Sequence, residues 1–212
     1  SRAEMAYDPT HSGLPQPGFN LSVEGAGIYE IRSLVQHALA VAPVEEVVVG
    51  LDYFAFSADR GSGRGFEETR LAVQADGTPT PRRHSDVVDA LFSYSALKLS
   101  WKTLASARQR PGYVINEAGF REIWDDNRDI LRKGGFRRAF VENEAVNATG
   151  YYGPAERPLR LRDDRRGVDT LLWFEQLVAD CRVRGVRLHM LIFPVHARLQ
   201  EVIRARGLWS HY

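Results

Sequence analysis

The chain has 212 residues, of which 44% are hydrophobic and 26% charged, so it can bury a sizeable core and is not disordered by composition. Lys and Arg number 28 against 27 Asp and Glu, which excludes the strongly basic field typical of nucleic-acid-binding proteins. No run approaches the ~18 consecutive apolar residues of a membrane span, and the single cysteine, Cys181, excludes an internal disulfide and a cysteine-based zinc site.

The first third of the chain has a pattern of alternating strands and helices. Residues 19–23 read as a short extended stretch, and apolar residues at helical spacing predict a helix over Ile28–Val41 that Pro43 closes. Residues 46–51 contain Val47-Val48-Val49, a run typical of a strand buried on both faces in a parallel sheet. We interpret this part as a β-α-β unit.

The middle of the chain, about residues 58–166, reads as a largely helical insertion. Its predicted parts are an irregular segment over 58–83, helices over 85–107 and 116–131, a break at Gly134-Gly135, and a loop over 147–166.

The end of the chain returns to a regular pattern, with a helix over 169–183, a strand over 186–193 and a helix over 197–206. The order predicts one α/β domain over 1–212, a doubly wound, flavodoxin-like parallel sheet that carries the insertion. Ligands bind such sheets at the carboxyl ends of the strands, so residues that follow strands are the first candidates for chemistry.

Two titratable residues follow predicted strands. His196 comes after a strand and a proline, where it would act as a general base or cap the last helix. Asp52 ends the strand before it, where it would orient a histidine, bind substrate or cap the following turn.

Gly25 and Gly27 bracket a predicted strand-to-helix turn. Their backbone N–H groups would point into the crevice as an oxyanion hole, or the pair forms only a tight turn. The sequence contains no Walker motif and no complete dinucleotide fingerprint, so it predicts no cofactor, and it predicts no metal site.

The candidate residues resemble the sequence blocks of SGNH/GDSL-type hydrolases. Asn20–Gly25 is similar to their Asn-x-x-x-x-Gly block, Gly50–Tyr53 is similar to their Gly-x-Asn-Asp block, and His196 falls where their final catalytic histidine does. The opening Ser1–Glu4 looks like the tail of a Gly-Thr/Ser-Ser-Arg element. That element replaces the Gly-Asp-Ser nucleophile block in an uncharacterised group of bacterial envelope-associated SGNH-like proteins.

The resemblance implies an esterase or O-acyltransferase that acts on an acylated carbohydrate of the cell envelope. Ser1 would be the nucleophile and His196 its base. Asn20, Gly25 and Gly27 would bind the substrate or its oxyanion.

Two positions depart from the family pattern. Phe193 stands where the family has its catalytic Asp, three residues before His196, so the resemblance implies a Ser–His dyad. Asp52 replaces an oxyanion-hole asparagine, and we expect it to orient His196 instead. Ser1, Gly25, Asp52 and His196 are expected to meet in one crevice.

The resemblance also bears on partners and location. It implies a periplasmic or membrane-anchored protein, with a cytoplasmic location left open. A first strand, and with it a membrane anchor, is expected upstream of Ser1. Carbohydrate would contact Tyr151, Tyr152 and Arg157 in the insertion. Two other functions remain open: a catalytically inactive SGNH-like binding or assembly protein, and an unrelated flavodoxin-like binding domain.

Overall fold

A computed structural model describes residues 7–10, 13, 16–59, 66–74, 77–81, 88, 97–98, 100–101, 104, 114–122, 124–146, 160–207 and 209. These residues form a mixed α/β fold with a small parallel two-stranded sheet and helices. The elements in chain order are α1 (Ile28–Val41), β1 (Glu46–Leu51), β2 (Val114–Ile115), β3 (Arg121–Glu122), α2 (Trp124–Arg132), α3 (Gly135–Val146), β4 (Arg162–Asp163), β5 (Val168–Asp169), α4 (Thr170–Val183), β6 (Arg187–Ile192) and α5 (Ala197–Ala205).

Strands β1 and β6 form the parallel pair of the described residues. Its register sets Glu46 opposite Arg187 and Leu51 opposite Ile192. The Glu46 carboxylate also binds the Arg187 guanidinium and lies 3.3 Å from Nε2 of His189. These charged contacts reinforce the register at the start of the two strands.

Helices α1 and α4 pack against each other and against the strand pair. The buried apolar residues of this core come from both helices and both strand regions: Ile28, Val35, Val49, Leu177, Cys181 and Val186. A polar contact joins the helices as well, since Gln36 donates to the Asp180 carboxylate at 3.0 Å and the buried Arg32 lies 3.6 Å from it. The core therefore holds α1, and with it the turn before α1, firmly against the sheet.

Helix α5 follows β6 and packs through the fully buried Ile203. Phe54, in the short 3₁₀ helix Tyr53–Phe56 after β1, contacts the same apolar cluster. The segments that follow the two strands are thereby tied together, which fixes the carboxyl end of the sheet.

Apart from residues 19–23, sequence and structure agree on the helices and strands that flank the insertion, and they disagree within it. The predicted helix over 116–131 is wrong in its first part, because 114–122 form the β2–β3 hairpin. The side-chain amide oxygen of Asn116 accepts the N–H groups of Ala118 and Phe120, which stabilises the turn of that hairpin. The glycines at 134–135 do end a helix, but α3 begins there too.

Two other stretches differ from expectation or are described in part. Residues 19–23 pair with no strand, so the β-α-β interpretation of the first third does not hold for the described residues. Residues 88, 97–98, 100–101 and 104 of the predicted helix over 85–107 are helical, and the rest of that stretch lies outside the described residues. Within the described ranges, no helix is long and apolar enough to cross a membrane.

Candidate functional site

A large cleft of about 1870 Å³ lies along β1. One face of α1, residues 16–26 and residues 116–118 line it. Residues 193–196, which follow β6 at the carboxyl end of the strand pair, line it too. Ligand sites of parallel α/β sheets lie at this end, so the cleft is the candidate functional site.

Four of the residues singled out from the sequence line this cleft: Asn20, Gly25, Asp52 and His196. Phe193, three residues before His196, lines it too. Gly27 lines a separate cavity of about 230 Å³. The remaining candidates, Ser1, Tyr151, Tyr152 and Arg157, lie outside the described residues.

His196 is the N-cap of α5. Its Nδ1 accepts the backbone N–H of Arg198 at 3.2 Å, so the neutral ring carries its proton on Nε2. The ring also makes an edge contact with Phe140 of α3, at 4.4 Å between ring centroids. The sequence allowed His196 to be a general base or a helix cap, and this hydrogen bond is that of a helix cap. It uses Nδ1, the ring nitrogen that a carboxylate would bind in order to orient the ring.

Asp52 is the N-cap of the 3₁₀ helix Tyr53–Phe56. Its Oδ1 accepts the backbone N–H of Phe54 at 3.4 Å. This is the turn-capping role that the sequence allowed, and it holds the half-buried carboxylate at the carboxyl end of β1. An acidic side chain is thereby fixed in the cleft near the strand end.

Gly25 allows the sharp turn that precedes α1. The Ala26 N–H donates to the Val23 carbonyl at 3.3 Å, and Gly25 within this turn has φ +72°, a conformation that glycine adopts without strain. The expectation that Gly27 presents its N–H to the crevice is wrong. That N–H donates to the buried Glu30 carboxylate at 2.6 Å, because the start of α1 needs an acceptor for it.

Asn20 supports the cleft wall through its own backbone and side chain. Its Nδ2 donates to the Tyr7 carbonyl at 3.0 Å, and its Oδ1 accepts the Ser22 N–H at 2.9 Å. Its backbone N–H donates to the Ala118 carbonyl at 2.7 Å. These bonds make Asn20, which is 8% exposed, a positioning residue that joins three segments of the wall.

Sequence reasoning missed the part of the insertion that flanks His196. Phe140 of α3 contacts the imidazole, and Glu144 on the same helix binds Arg198 at 3.1 Å. Phe136, Phe140 and Glu144 are four residues apart, so they share one face of a helix. That spacing is the sequence signal that predicts a helix next to His196.

The described lining of the cleft is rich in carboxylates. Apart from the tyrosine and two histidines, its titratable residues are Glu24, Glu45, Glu46, Asp52 and Glu117, and no Lys or Arg is among the described lining residues. The Glu46 carboxylate is paired with Arg187 and His189 of β6. No group of three or more metal-binding side chains occurs in the described part of the chain.

Comparison with known proteins adds no relative. No protein-family model, curated protein or solved structure matches this chain.

Proposed function

We propose that β1 and β6 belong to a larger, doubly wound parallel sheet of the SGNH type. Parallel strands occur almost only in sheets covered on both faces, and an isolated two-stranded pair is marginally stable. Apolar residues of β6 remain exposed, with Met190 at 51% and Ile192 at 82%. Helices on the second face of such a sheet would cover this surface, and further strands would satisfy the edges that no described strand pairs.

We further propose that the protein is an SGNH-like esterase or O-acyltransferase that acts on an acylated carbohydrate of the cell envelope. The observation that carries this proposal is the meeting of Gly25, Asp52 and His196 in one cleft at the carboxyl end of the sheet. Asn20 lines the same cleft. These are the residues of the SGNH-like blocks, in their chain order.

The proposed reaction is acyl transfer through Ser1. Its hydroxyl oxygen attacks the ester carbonyl of the substrate while His196 takes the hydroxyl proton. The tetrahedral intermediate expels the alcohol, which receives that proton, and leaves an acyl-serine. Water or a sugar hydroxyl then attacks the acyl-serine, with His196 again moving the proton, and releases the acid or the new ester. The backbone N–H of Gly25 is the proposed oxyanion donor.

Catalysis on this route requires a change at His196. A base that accepts through Nε2 must carry its proton on Nδ1, and Nδ1 now accepts the Arg198 N–H. The ring must therefore leave its capping position during the reaction. Loss of one N-cap hydrogen bond lowers the stability of a helix by about 0.5–2 kcal/mol. That is small compared with the reduction of activation free energy that enzymes achieve.

The acidic residues of the cleft bear on the class of substrate. Glu24, Glu45 and Glu117 line it and none of its described lining residues is Lys or Arg, so we expect it to take a neutral ester in preference to an anionic polymer. O-acylated neutral sugars meet this requirement.

The capping bond of His196 favours a second function. Nδ1 of His196 accepts the Arg198 N–H, and Phe193 stands where the SGNH pattern has an acid. Both features are expected of a non-catalytic SGNH-like protein that binds or assembles an envelope carbohydrate. The cleft would then bind ligand without turnover.

Hydrolysis of an aryl acetate separates the two functions. The wild type and the Ser1→Ala and His196→Asn variants are compared, with retained folding checked by circular dichroism. Saturable hydrolysis that both substitutions abolish supports the enzyme. Hydrolysis that is absent, or equal in all three proteins, contradicts it.

A further inference from the structure

Helix α3 of the insertion contacts the start of α5 at two points. Phe140 lies against the His196 ring, with 4.4 Å between the ring centroids and an interplanar angle of 61°. One turn later on α3, Oε1 of Glu144 accepts a hydrogen bond from Nε of Arg198 at 3.1 Å. Residues four apart share a face of a helix, so a single face of α3 reaches both the ring of His196 and the residue two positions after it.

Arg198 connects these two contacts. Its backbone N–H donates to Nδ1 of His196 at 3.2 Å, while its guanidinium binds Glu144 of α3. The Glu144 side chain is 16% exposed, so this ion pair is screened less than one between two exposed side chains. Helix α3 therefore holds both partners of the capping bond: the acceptor ring through Phe140 and the donor residue through Glu144.

The capping bond decides what the His196 ring is able to do. A neutral imidazole has one nitrogen that accepts a hydrogen bond and one that donates. Because Nδ1 accepts from Arg198, Nε2 carries the ring proton, and the ring has no acceptor left for the proton of a serine hydroxyl. The contacts made by α3 favour this orientation, so they oppose the change that the proposed reaction requires.

The packing of α3 allows it to move. None of its twelve residues, all of which the structure describes, is buried. Its connection to α2 is the pair Gly134–Gly135, with φ of +116° and +84°, a region that glycine adopts at little cost. A helix without buried side chains belongs to the part of a protein that opens at low free energy.

We infer that α3 controls His196: its contacts hold the imidazole in the capping orientation, and displacement of α3 frees the ring to act as a base. Phe140 and Glu144 are positioning residues in this scheme, since they act on the ring and on its hydrogen-bond donor. The consequence for catalysis rests on the proposed function, whereas control of the ring orientation rests on the contacts alone.

The first test measures the ring orientation without any substrate. Hydrogen exchange of the Arg198 amide reports the capping bond, and ¹⁵N NMR of the imidazole reports its tautomer. Phe140→Leu removes the aromatic ring but keeps an apolar side chain. Phe136→Leu makes the same change one turn earlier on α3, at a side chain that is 54% exposed.

We expect Phe140→Leu to speed exchange of the Arg198 amide at least threefold and to populate the Nδ1–H tautomer, while Phe136→Leu behaves as the wild type. Exchange and tautomer that are the same in all three proteins would overturn the inference. So would an equal effect of both substitutions, because it would indicate a general loosening of α3.

The second test removes the ion pair with Arg198. Glu144→Ala is compared with Glu142→Ala, which breaks the pair that Glu142 makes with Arg138 within α3 at 2.7 Å. We expect Glu144→Ala alone to speed exchange of the Arg198 amide. Equal exchange in the two variants would mean that the link from α3 to Arg198 does not support the cap, which contradicts the inference.

The closing experiment applies the same four variants to aryl-acetate hydrolysis, with folding checked by circular dichroism. Phe140→Leu and Glu144→Ala should raise kcat about two- to tenfold, the effect of losing one aromatic contact or ion pair from the capped state. Phe136→Leu and Glu142→Ala should leave kcat unchanged. A fall in kcat with Phe140→Leu would contradict control in this direction.

The inference and the proposed function fail separately. If the wild type hydrolyses no ester, the enzyme is contradicted, and amide exchange and the tautomer still decide whether α3 holds the ring. If the wild type hydrolyses the ester but Phe140→Leu changes neither kcat nor exchange of the Arg198 amide, the inference fails and the enzyme stands.

Discussion

Nδ1 of His196 accepts the backbone N–H of Arg198 at 3.2 Å, and this bond begins the last helix. The residue that we propose as the catalytic base is thus also the residue that caps α5. The two roles use the same ring nitrogen, and they predict different effects of substitution.

We predict that His196→Asn and His196→Ala separate the two roles. Asparagine is a good N-cap and alanine is not, so His196→Ala should lower the free energy of unfolding by about 0.5–2 kcal/mol while His196→Asn changes it little. Both substitutions should abolish hydrolysis. Urea unfolding and an aryl-acetate assay measure the two effects, and ¹⁵N NMR of the wild type should report the Nε2–H tautomer. Equal stability of the two variants would argue against the cap.

Asp52 provides the next prediction. Nδ1 of His196 accepts the Arg198 N–H and so donates no proton to Asp52 in this arrangement, and the orienting role expected of Asp52 stays a prediction. Asp52→Asn keeps an N-cap acceptor for Phe54 and adds an amide donor at the position where the SGNH blocks that the sequence resembles have an asparagine.

We therefore expect Asp52→Asn to leave stability within about 0.5 kcal/mol and to raise kcat for aryl-acetate hydrolysis. Asp52→Ala, which supplies neither acceptor nor donor, is the matched control and should not raise it. A drop of more than tenfold in kcat with Asp52→Asn would instead support a carboxylate that orients His196 during catalysis.

The wall of the cleft near Asn20 depends on Gly119. This residue has φ +72°, and a Cβ on it would lie only 2.3 Å from the Asn20 carbonyl oxygen. Gly119→Ala should therefore strain the turn and push it from the wall, at a cost of more than about 1 kcal/mol.

The control for this prediction is Gly77→Ala, which has a similar φ of +83° but no atom within 4 Å of the new Cβ. Thermal unfolding compares the two. If both variants lose the same stability, backbone strain alone accounts for the loss and the close approach to Asn20 does not matter.

Ionisation of the Tyr29 phenol makes the stability of the protein depend on pH in the alkaline range. Burial and a 2.8 Å hydrogen bond to the Glu68 carboxylate raise the pKa of its phenol to about 12 from 10. The raised pKa means that the protonated phenol contributes stability that is fully present below pH 10 and is lost as the pH rises through about 12.

We expect Glu68→Gln to lower the pKa of Tyr29 toward 10, because it removes the acceptor charge but leaves the burial. Ultraviolet titration of the phenolate absorbance measures this shift, and Tyr29→Phe identifies the contribution of Tyr29 among the tyrosines. An identical titration in the wild type and Glu68→Gln would refute the coupling.

The regular elements could be predicted because local pattern determines them. Helix α1 has the predicted bounds, Ile28–Val41, and β1 has the predicted bounds, 46–51. Apolar spacing, a valine run and a proline stop suffice there. The β2–β3 hairpin lies where the apolar spacing predicts a helix. The side chain of Asn116 stabilises a turn there by accepting the N–H groups of Ala118 and Phe120, and this turn outweighs the helical spacing of the neighbouring residues.

The positions of Asp52 and His196 follow from topology, since the ends of the parallel strands β1 and β6 meet at one edge of the sheet. Gly25 lines the same cleft although no described strand precedes it, and the roles of these residues stay predictions. The sequence did not reveal which acceptor the Gly27 N–H takes or which nitrogen of His196 is engaged. Both depend on hydrogen bonds at the first turn of a helix, and the same residue types can form those bonds in more than one way.

The most direct test of the acyl-transfer site is covalent labelling with a fluorophosphonate, which reacts with activated serines. Intact mass and peptide mapping of the labelled protein locate the adduct. The account predicts one adduct per chain, on Ser1, formed in the wild type and lost in His196→Asn, with the folded state unchanged. An adduct at another residue, or no adduct under conditions that label a control esterase fully, would contradict it.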